Sequence, residues 1–548
     1  MPTLTIDGRP CTWEGKKSIL QVALDNQVEI PHYCYHPGMS VVASCRICLA
    51  EVGQPNPKND NKVELIPKLV PTCQTPAAEG MEVHLKTSPK TVANQKSVME
   101  MLLINHPLDC PVCDQAGECS LQDYSYRYGR SQSRFEETKI KQPKKDLGPD
   151  VLLYSDRCIM CSRCVRFTRE VTGTGELGIF GRGSAEQIDV FPGKPLDNEL
   201  AGNVIDICPV GALLDKDFLM SMRVWNLEKN ASIDGITASG DNLSIETNEG
   251  KIYRVKPRTN MDVNTWWTSD EIRYGWKFVH SPDRLRTPTR RVQGTHEECD
   301  WNRAYADIAD RLRQIVADTG RGTLALLVSP MLATEEAYLL GRLITAIDED
   351  AVLGVGPVPV SGEDKTFPGG YTVYAEKAPN ARGVRQALES LSDQVHDYAG
   401  FTQHLTHTKA ALLTGNYPSD WATEAAVPEL FSLARDPKRF VALIDTLPSP
   451  LAEQVDVLLP GATWAEKSGS FANHAGRHQH FDAAIPVIEL AKTEGQIALD
   501  LLSVTGHLDR QRYDPQDWRT QIGGGVATDL HLPAGQDQKT SDVQYVQL

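Results

Sequence analysis

The chain has 548 residues, a formal net charge of −16 and 41% hydrophobic residues, so it is far too long for one core and should divide into three or more domains. The negative charge is thinly spread and there is no Lys/Arg run of the kind that neutralises phosphates, which excludes nucleic acid as a partner. No apolar stretch approaches the roughly 20 residues needed to cross a bilayer, and Met1 leads straight into Thr3-Leu-Thr-Ile6 without a charged leader, so the protein is expected to start near Met1 and to stay inside the cell.

Residues 3 to 13 read as a hairpin turning at Asp7-Gly8, and Ser18 to Asn26 as a short capped helix, which together open a β-grasp. Cys34, Cys45 and Cys48 fall in the Pro-, Gly- and Ser-rich loop that follows, and Glu64 to Val70 reads as a strand leading to Cys73. Ser88-Pro89 supplies an N-cap and a first helical residue, and the apolar positions Val98, Met101, Leu102 and Ile104 carry that helix to His106-Pro107. Residues 131 to 149 read as a charged loop before the strand-like Val151-Leu-Leu-Tyr154. From about residue 230, Asn242 to Thr247 and Lys251 to Val255 read as short strands joined at Asn248-Glu-Gly250. Beyond residue 300 apolar strands at 324–328, 410–413 and 440–444 alternate with helices, notably Thr334 to Ile347, which predicts an α/β layer with a parallel sheet. Pro533 to Leu548 reads as a loose tail.

Twelve of the thirteen cysteines precede residue 210 and the last 249 residues have none. Clustering at C-x2-C spacing favours metal over a disulfide scaffold. Cys11 and Cys299 have no partner at ligand spacing, so eleven cysteines and His106 form three tetrads. The first, Cys34, Cys45, Cys48 and Cys73, resembles the plant-type binuclear pattern with a longer first gap, which points to a 2Fe-2S cluster. Structural zinc, the plainer alternative, normally uses two closely spaced pairs, whereas Cys34 and Cys73 are isolated.

The third tetrad, Cys158, Cys161 and Cys164 with Cys208-Pro209, is the bacterial 4Fe-4S pattern with its last cysteine displaced. The second supplies only Cys110, Cys113 and Cys119, so His106 is the expected fourth donor of another 4Fe-4S cluster, although a histidine at a helix end is more often a capping group. A neutral imidazole in place of a thiolate makes the ligand set less negative and should raise the potential. Gly173-Thr-Gly175-Glu-Leu-Gly178 matches a dinucleotide fingerprint but follows a cluster-binding helix rather than a strand, so it reads as a glycine loop near the cluster and argues against bound FMN or NAD. His404, His407, His474, His478 and His480 lie in polar stretches and read as surface residues.

Pro31-His-Tyr-Cys34-Tyr-His-Pro-Gly38, Ser44-Cys-Arg-Ile-Cys-Leu-Ala-Glu51, Asn105-His-Pro-Leu-Asp-Cys-Pro-Val-Cys-Asp114 and Thr172-Gly-Thr-Gly-Glu-Leu-Gly178 together closely resemble the large iron–sulfur subunit of respiratory complex I. The resemblance is dense over roughly residues 1 to 290. Leu459-Pro-Gly-Ala-Thr-Trp-Ala-Glu-Lys-Ser-Gly-Ser-Phe-Ala-Asn473 is similar to a signature of molybdopterin oxidoreductases.

The resemblance implies a multidomain α+β and α/β protein. It would contain a β-grasp 2Fe-2S ferredoxin-like domain (1–85), a 4Fe-4S domain with one histidine and three cysteine ligands (86–128), a ferredoxin-like 4Fe-4S domain with four cysteine ligands (129–225), a small β-rich module (226–285), a degenerate molybdopterin-oxidoreductase-like α/β domain (286–530) and a tail (531–548). It implies one 2Fe-2S and two 4Fe-4S clusters, no molybdopterin, and no substrate site of its own. A further cysteine quartet found after residue 220 in some bacterial relatives is missing. Electrons from NADH would arrive from a partner FMN-binding flavoprotein subunit and leave toward iron–sulfur subunits that reduce quinone, in a complex on the inner, cytoplasmic face of the cell membrane. The alternatives are an electron-transfer subunit of an NAD-linked hydrogenase, a formate dehydrogenase and a zinc scaffold.

Overall fold

A computed structural model describes residues 1–522, so the expected tail lies outside the described residues. The chain forms two compact units, one comprising Met1–Leu227 with the short segment Phe367–Tyr371, and the other beginning at Glu228.

In the first unit the amino-terminal hairpin pairs Thr3–Ile6 with Arg9–Thr12. Its two turn residues, Asp7 at φ 47° and Gly8 at φ 83°, are both left-handed, as a two-residue turn that follows the strand twist requires. The helix Ile19–Asp25 starts with a capping box in which Ser18 Oγ accepts from Gln21 N and Gln21 Oε1 accepts from Ser18 N. Thr3–Ile6 then runs parallel to Glu82–His84 in the middle of a mixed sheet that also holds Leu49–Asn56 and Lys62–Leu65, a β-grasp arrangement.

Two expectations need correction. The run from Glu64 to Val70 is not one strand but two short ones, Lys62–Leu65 and Val70–Pro71, because Pro67 has no N–H for the ladder. The helix Pro89–Leu103 does start at Ser88, whose Oγ accepts from Thr91 N at 3.2 Å, but it buries Thr91, Gln95 and Met99 and leaves Met101 69% exposed. The buried face is partly polar because Thr91 bonds Glu51 N and His84 O across the sheet. The rest of the unit is built from the helix Ser120–Tyr128, a sheet of Lys144–Asp146, Val151–Tyr154 and Leu213–Asp215, and a hairpin of Leu177–Phe180 with Gln187–Val190.

The second unit opens with a three-stranded antiparallel sheet, Glu228–Ile233, Asn242–Asn248 and Lys251–Pro257. Six parallel strands follow in the spatial order 457–460, 440–445, 410–414, 324–328, 352–355 and 395–396, extended at one edge by the hairpin of Thr289–Val292 and Thr295–Glu298. This is a doubly wound sheet whose order reverses between Leu324–Val328 and Ala410–Thr414. Leu324, Leu326 and Val328 enter one core while Ala325 and Leu327 enter the other, so both faces are covered.

Candidate iron-sulfur cluster sites

All thirteen cysteines are free thiols. In the first tetrad Cys34, Cys48 and Cys73 are buried and Cys45 is partly so. Cys48 Sγ lies 3.6 Å from Cys73 Sγ. Hydrogen bonding with Cys45 draws the Cys34 thiol down, and hydrogen bonding with Cys73 does the same for Cys48, while the partners Cys45 and Cys73 are pushed up. Sulfur atoms so paired in a dry loop suit a binuclear group. Ala43 and Arg46 sit at φ 50° and 60°, left-handed values that cost a non-glycine residue energy and cluster at functional sites.

The third tetrad lines one apolar pocket, with Leu153, Ile188, Val210 and Leu213 around Cys158, Cys161, Cys164 and Cys208. Met160 and Ser162, on either side of Cys161, adopt φ 53° and 60°. Such left-handed residues within a loop turn successive N–H groups inward, making a concavity for an anion. Burial pushes Cys158 up to about 12 and Cys161 to about 11, and raises Cys164 and Cys208 as well. A four-thiolate cubane fits the pocket in donor type and number.

In the second tetrad Cys113 and Cys119 are buried, Cys110 is exposed, and the three are electrostatic neighbours. His106 is not the helix cap. The last carbonyls of the helix, on Leu103 and Ile104, accept from Lys139 Nζ at 2.7 and 2.9 Å. His106 Nδ1 is instead buried with no hydrogen-bond partner among the described residues. Burial, with Arg157 and Lys139 nearby, lowers the imidazole to about 4, so it is neutral at physiological pH and has a lone pair to give. Arg157 is the common neighbour of His106 and Cys113 and is itself paired to Asp109 at 2.9 Å. Among the described residues no three His, Cys, Asp or Glu side chains converge on a point suited to a single metal ion.

Residues beside the third tetrad contact the loops of both others. Arg163 and Arg166, next to Cys164 of the third, donate to the carbonyls of Tyr35 and Cys34 in the first. The loop after Cys208 reaches the second: Pro209 O accepts from Ser120 N at 3.1 Å and lies 3.9 Å from Cys119 Sγ. A β-carbon at Gly211 would overlap Cys113 Sγ. Gly211→Ala is therefore expected to lose the second cluster while the first is retained, as read by EPR of the reduced protein; an undisturbed second signal would show that the loop yields.

The glycine run 173–178 follows the helical turn Phe167–Val171 and leads into a strand, the reverse of a dinucleotide site. His404 and His407 are exposed, as expected, but His474, His478 and His480 are partly buried around the hairpin Gly469–Ala472 and His478–Phe481. There His474 Nε2 bonds Tyr374 Oη at 2.8 Å and His478 Nε2 bonds Gln386 Oε1 at 2.8 Å. Sequence polarity hid these partners, which lie about 90 to 100 residues away along the chain.

At the crevice of the doubly wound sheet, where such folds take ligands, a buried tyrosine spans the strand ends. Tyr417, 1% exposed, crosses the end of Leu324–Val328 to donate to Pro357 O at 2.7 Å, and a β-carbon at Gly356 would meet its hydroxyl at 2.9 Å. Beside it, the signature residues Glu466 and Lys467 are engaged in buried ion pairs, Glu466 with Arg284 at 2.8 Å and Lys467 with Glu336 at 2.8 Å and Glu494 at 2.7 Å.

The arrangement defines a class: a multi-cluster iron–sulfur protein with 2Fe-2S and 4Fe-4S binding domains. Family models agree. They match a 2Fe-2S iron-sulfur cluster binding domain over 1–88, an NADH-ubiquinone oxidoreductase-G iron-sulfur binding region over 95–134 and an NADH-quinone oxidoreductase subunit 3 ferredoxin-like domain over 148–214. An NADH-ubiquinone oxidoreductase NDSU1/NuoG-like 4Fe-4S domain matches 227–277, a stretch that here contains no cysteine, and Molybdopterin oxidoreductase matches 383–504.

The particular likeness is to the large iron–sulfur subunit of complex I. The chain is 42% identical over 308 residues to the mitochondrial NADH-ubiquinone oxidoreductase 78 kDa subunit of Neurospora crassa, covering 56% of this chain and 40% of that one. It is 35% identical over 360 residues to the NADH-ubiquinone oxidoreductase 75 kDa subunit of Reclinomonas americana, covering 66% and 50%. The matches thus span about half or less of those relatives' lengths. A solved NAD+-reducing NiFe hydrogenase is 29% identical over 41% of this chain and 91% of that one, at a TM-score of 0.34.

Proposed function

We propose that this chain is the iron–sulfur electron-transfer subunit of an NADH:quinone oxidoreductase, holding one 2Fe-2S cluster on Cys34, Cys45, Cys48 and Cys73, one 4Fe-4S cluster on Cys158, Cys161, Cys164 and Cys208, and another on His106, Cys110, Cys113 and Cys119. When bound, these clusters supply one-electron carriers of graded potential. The observation that carries the reading is the continuous contact from the first tetrad through the third to the second, all within one unit.

The residues around the tetrads hold and insulate them. Arg163 and Arg166 tie the first binding loop to the third, and the Cys208-Pro209-Val210-Gly211 loop separates the third from the second. Cys110, exposed between Leu108 at 89% and Val112 at 56%, supports an exit to an iron–sulfur partner at the second tetrad, with the flavoprotein at the first. Among the described residues no helix is long and apolar enough to cross a membrane; attachment to the inner membrane face through partners goes with the likeness to complex I subunits. With this reading go the finer division of the chain at about residues 85, 128, 225 and 285, and a second unit that binds no molybdopterin.

The test is metal analysis of anaerobically isolated protein. We expect about ten iron atoms with matching acid-labile sulfide, and no molybdenum or pterin. Stoichiometric zinc with little sulfide would end the reading, and co-purification with a nickel-containing subunit would move the chain to the hydrogenase class.

A further inference from the structure

Two buried arginines of one short helix join two cluster loops that are more than 120 residues apart in sequence. The helix Arg163–Arg166 contains Cys164, and its arginines are 4% and 7% exposed. Arg163 Nη2 donates to Tyr35 O at 2.5 Å and its Nη1 to Ile207 O at 3.2 Å, so one guanidinium bridges the neighbour of Cys34 and the neighbour of Cys208. Arg166 donates through Nη2 to Cys34 O and through Nη1 to Ser40 O at 2.6 Å. The next turn completes the clamp: Glu170 accepts from Ser40 N at 2.8 Å and from Ser40 Oγ at 2.6 Å. A single loop from Cys34 to Ser40 is thus gripped by three charged side chains from the segment that follows Cys161.

Carbonyl acceptors need no charged donor; a neutral amide would serve. Keeping a guanidinium out of water is costly unless negative groups nearby compensate. For Arg166 the groups of opposite sign at hand are Cys161 of the third tetrad, Cys34 of the first and the carboxylate of Glu170, set against the like charge of Arg163. Glu170 also accepts from Ser40 N and Oγ. Arg166 Nε is, besides, buried with no hydrogen-bond partner among the described residues. With clusters bound, the thiolates of both sites would add to that compensation.

We propose that Arg166 is a positioning residue shared by the binuclear site and the all-cysteine cubane site, whose buried positive charge raises the potentials of both clusters while its two carbonyl bonds fix the Cys34–Ser40 loop against the helix that carries Cys164. Arg163 braces the same joint from the Tyr35 and Ile207 side. Reduction adds an electron to each cluster, and a fixed cation beside both favours that added charge; because arginine stays protonated at all working pH values, the bias is constant. The proposal rests on the cluster assignment made above for the first and third tetrads.

The experiment is an EPR-monitored redox titration of the full-length protein, with iron and sulfide measured on each sample. Arg166→Met should lower the reduction equilibrium constant of both the binuclear and the all-cysteine cubane cluster by about tenfold, which is about 59 mV for one electron. Arg166→Lys, which keeps the charge and loses the planar fork, should recover most of that shift. Glu170→Gln removes a neighbouring negative charge from a partly exposed site, so it should shift both potentials the other way even where Arg166→Met fails to load its clusters. Unmoved potentials in a loaded Arg166→Met, or an Arg166→Lys that shifts both clusters as far as Arg166→Met does, would overturn the role of the Arg166 charge; where Arg166→Met loads no clusters, unmoved potentials in Glu170→Gln would do so. A full-length unsubstituted chain that takes up no clusters would instead overturn the electron-transfer reading beneath it.

Discussion

His106→Cys is expected to keep the second cubane assembled and to lower its potential by on the order of 100 mV or more, and His106→Ala to lose it. The magnitude follows from Rieske centres, where histidine in place of cysteine on one iron lifts potentials by several hundred millivolts. The structure removes the main competing role, since Lys139 satisfies the carbonyls of Leu103 and Ile104 that a capping histidine would take. The imidazole, lowered to about 4 chiefly by burial, is neutral throughout the working pH range, so its exchange for a thiolate adds one full negative charge to the ligand shell. EPR-monitored titration of the same cluster in each protein measures the effect. A second cluster that keeps its potential in both variants would place the fourth donor elsewhere.

Lys467→Met is expected to destabilise the second unit by about 3–5 kcal/mol, the usual result of removing one partner from a buried charge cluster. Lys467 is wholly buried and its Nζ lies 2.8 Å from Glu336 and 2.7 Å from Glu494, both buried as well. Without the ammonium two carboxylates would face each other in a dry core. Burial already pushes the acid of Glu494 upward, so Glu494→Gln should be the mildest single change in the cluster, and adding it to Lys467→Met should restore part of the lost stability. Calorimetry of the full chain separates the variants, and the cluster signals should not move, because every proposed ligand lies in the first unit. Loss of less than about 1 kcal/mol in Lys467→Met would mean that the core relaxes or admits water.

The proposed ligand sets can be read along the chain because a cluster loop is a local object: C-x2-C spacing, Pro and Gly are written within a few residues of one another. The hairpin at Asp7-Gly8, the cap at Ser18 and the strands at 324–328 and 440–445 were legible for the same reason, each being set by short-range turn chemistry or periodicity. The helix 89–103 misled because its buried face is held partly by the hydrogen bonds of Thr91, which an apolar count does not see. The links between the tetrad loops, the overlap that keeps residue 211 a glycine, and the arginines at 163 and 166 depend on contacts spanning some 90 to 130 residues. No window along the chain contains both partners. The one available hint was two arginines within three residues of Cys164, which in isolation look like a solvated helix face.

The Cys208-Pro209-Val210-Gly211 segment also sets a timetable. It supplies a ligand to the third site and a wall to the second, so neither cubane site is complete on a nascent chain until these four residues have emerged, although every other proposed donor to those two sites lies upstream. The sheet and thiols of the binuclear site, by contrast, are all present by residue 85. Cofactor delivery during synthesis is therefore expected to come in two instalments: a binuclear centre competent early, and two cubanes that become competent together, so that a nascent chain with residues 1–85 but not 208–211 outside the ribosome would accept the first and neither of the others.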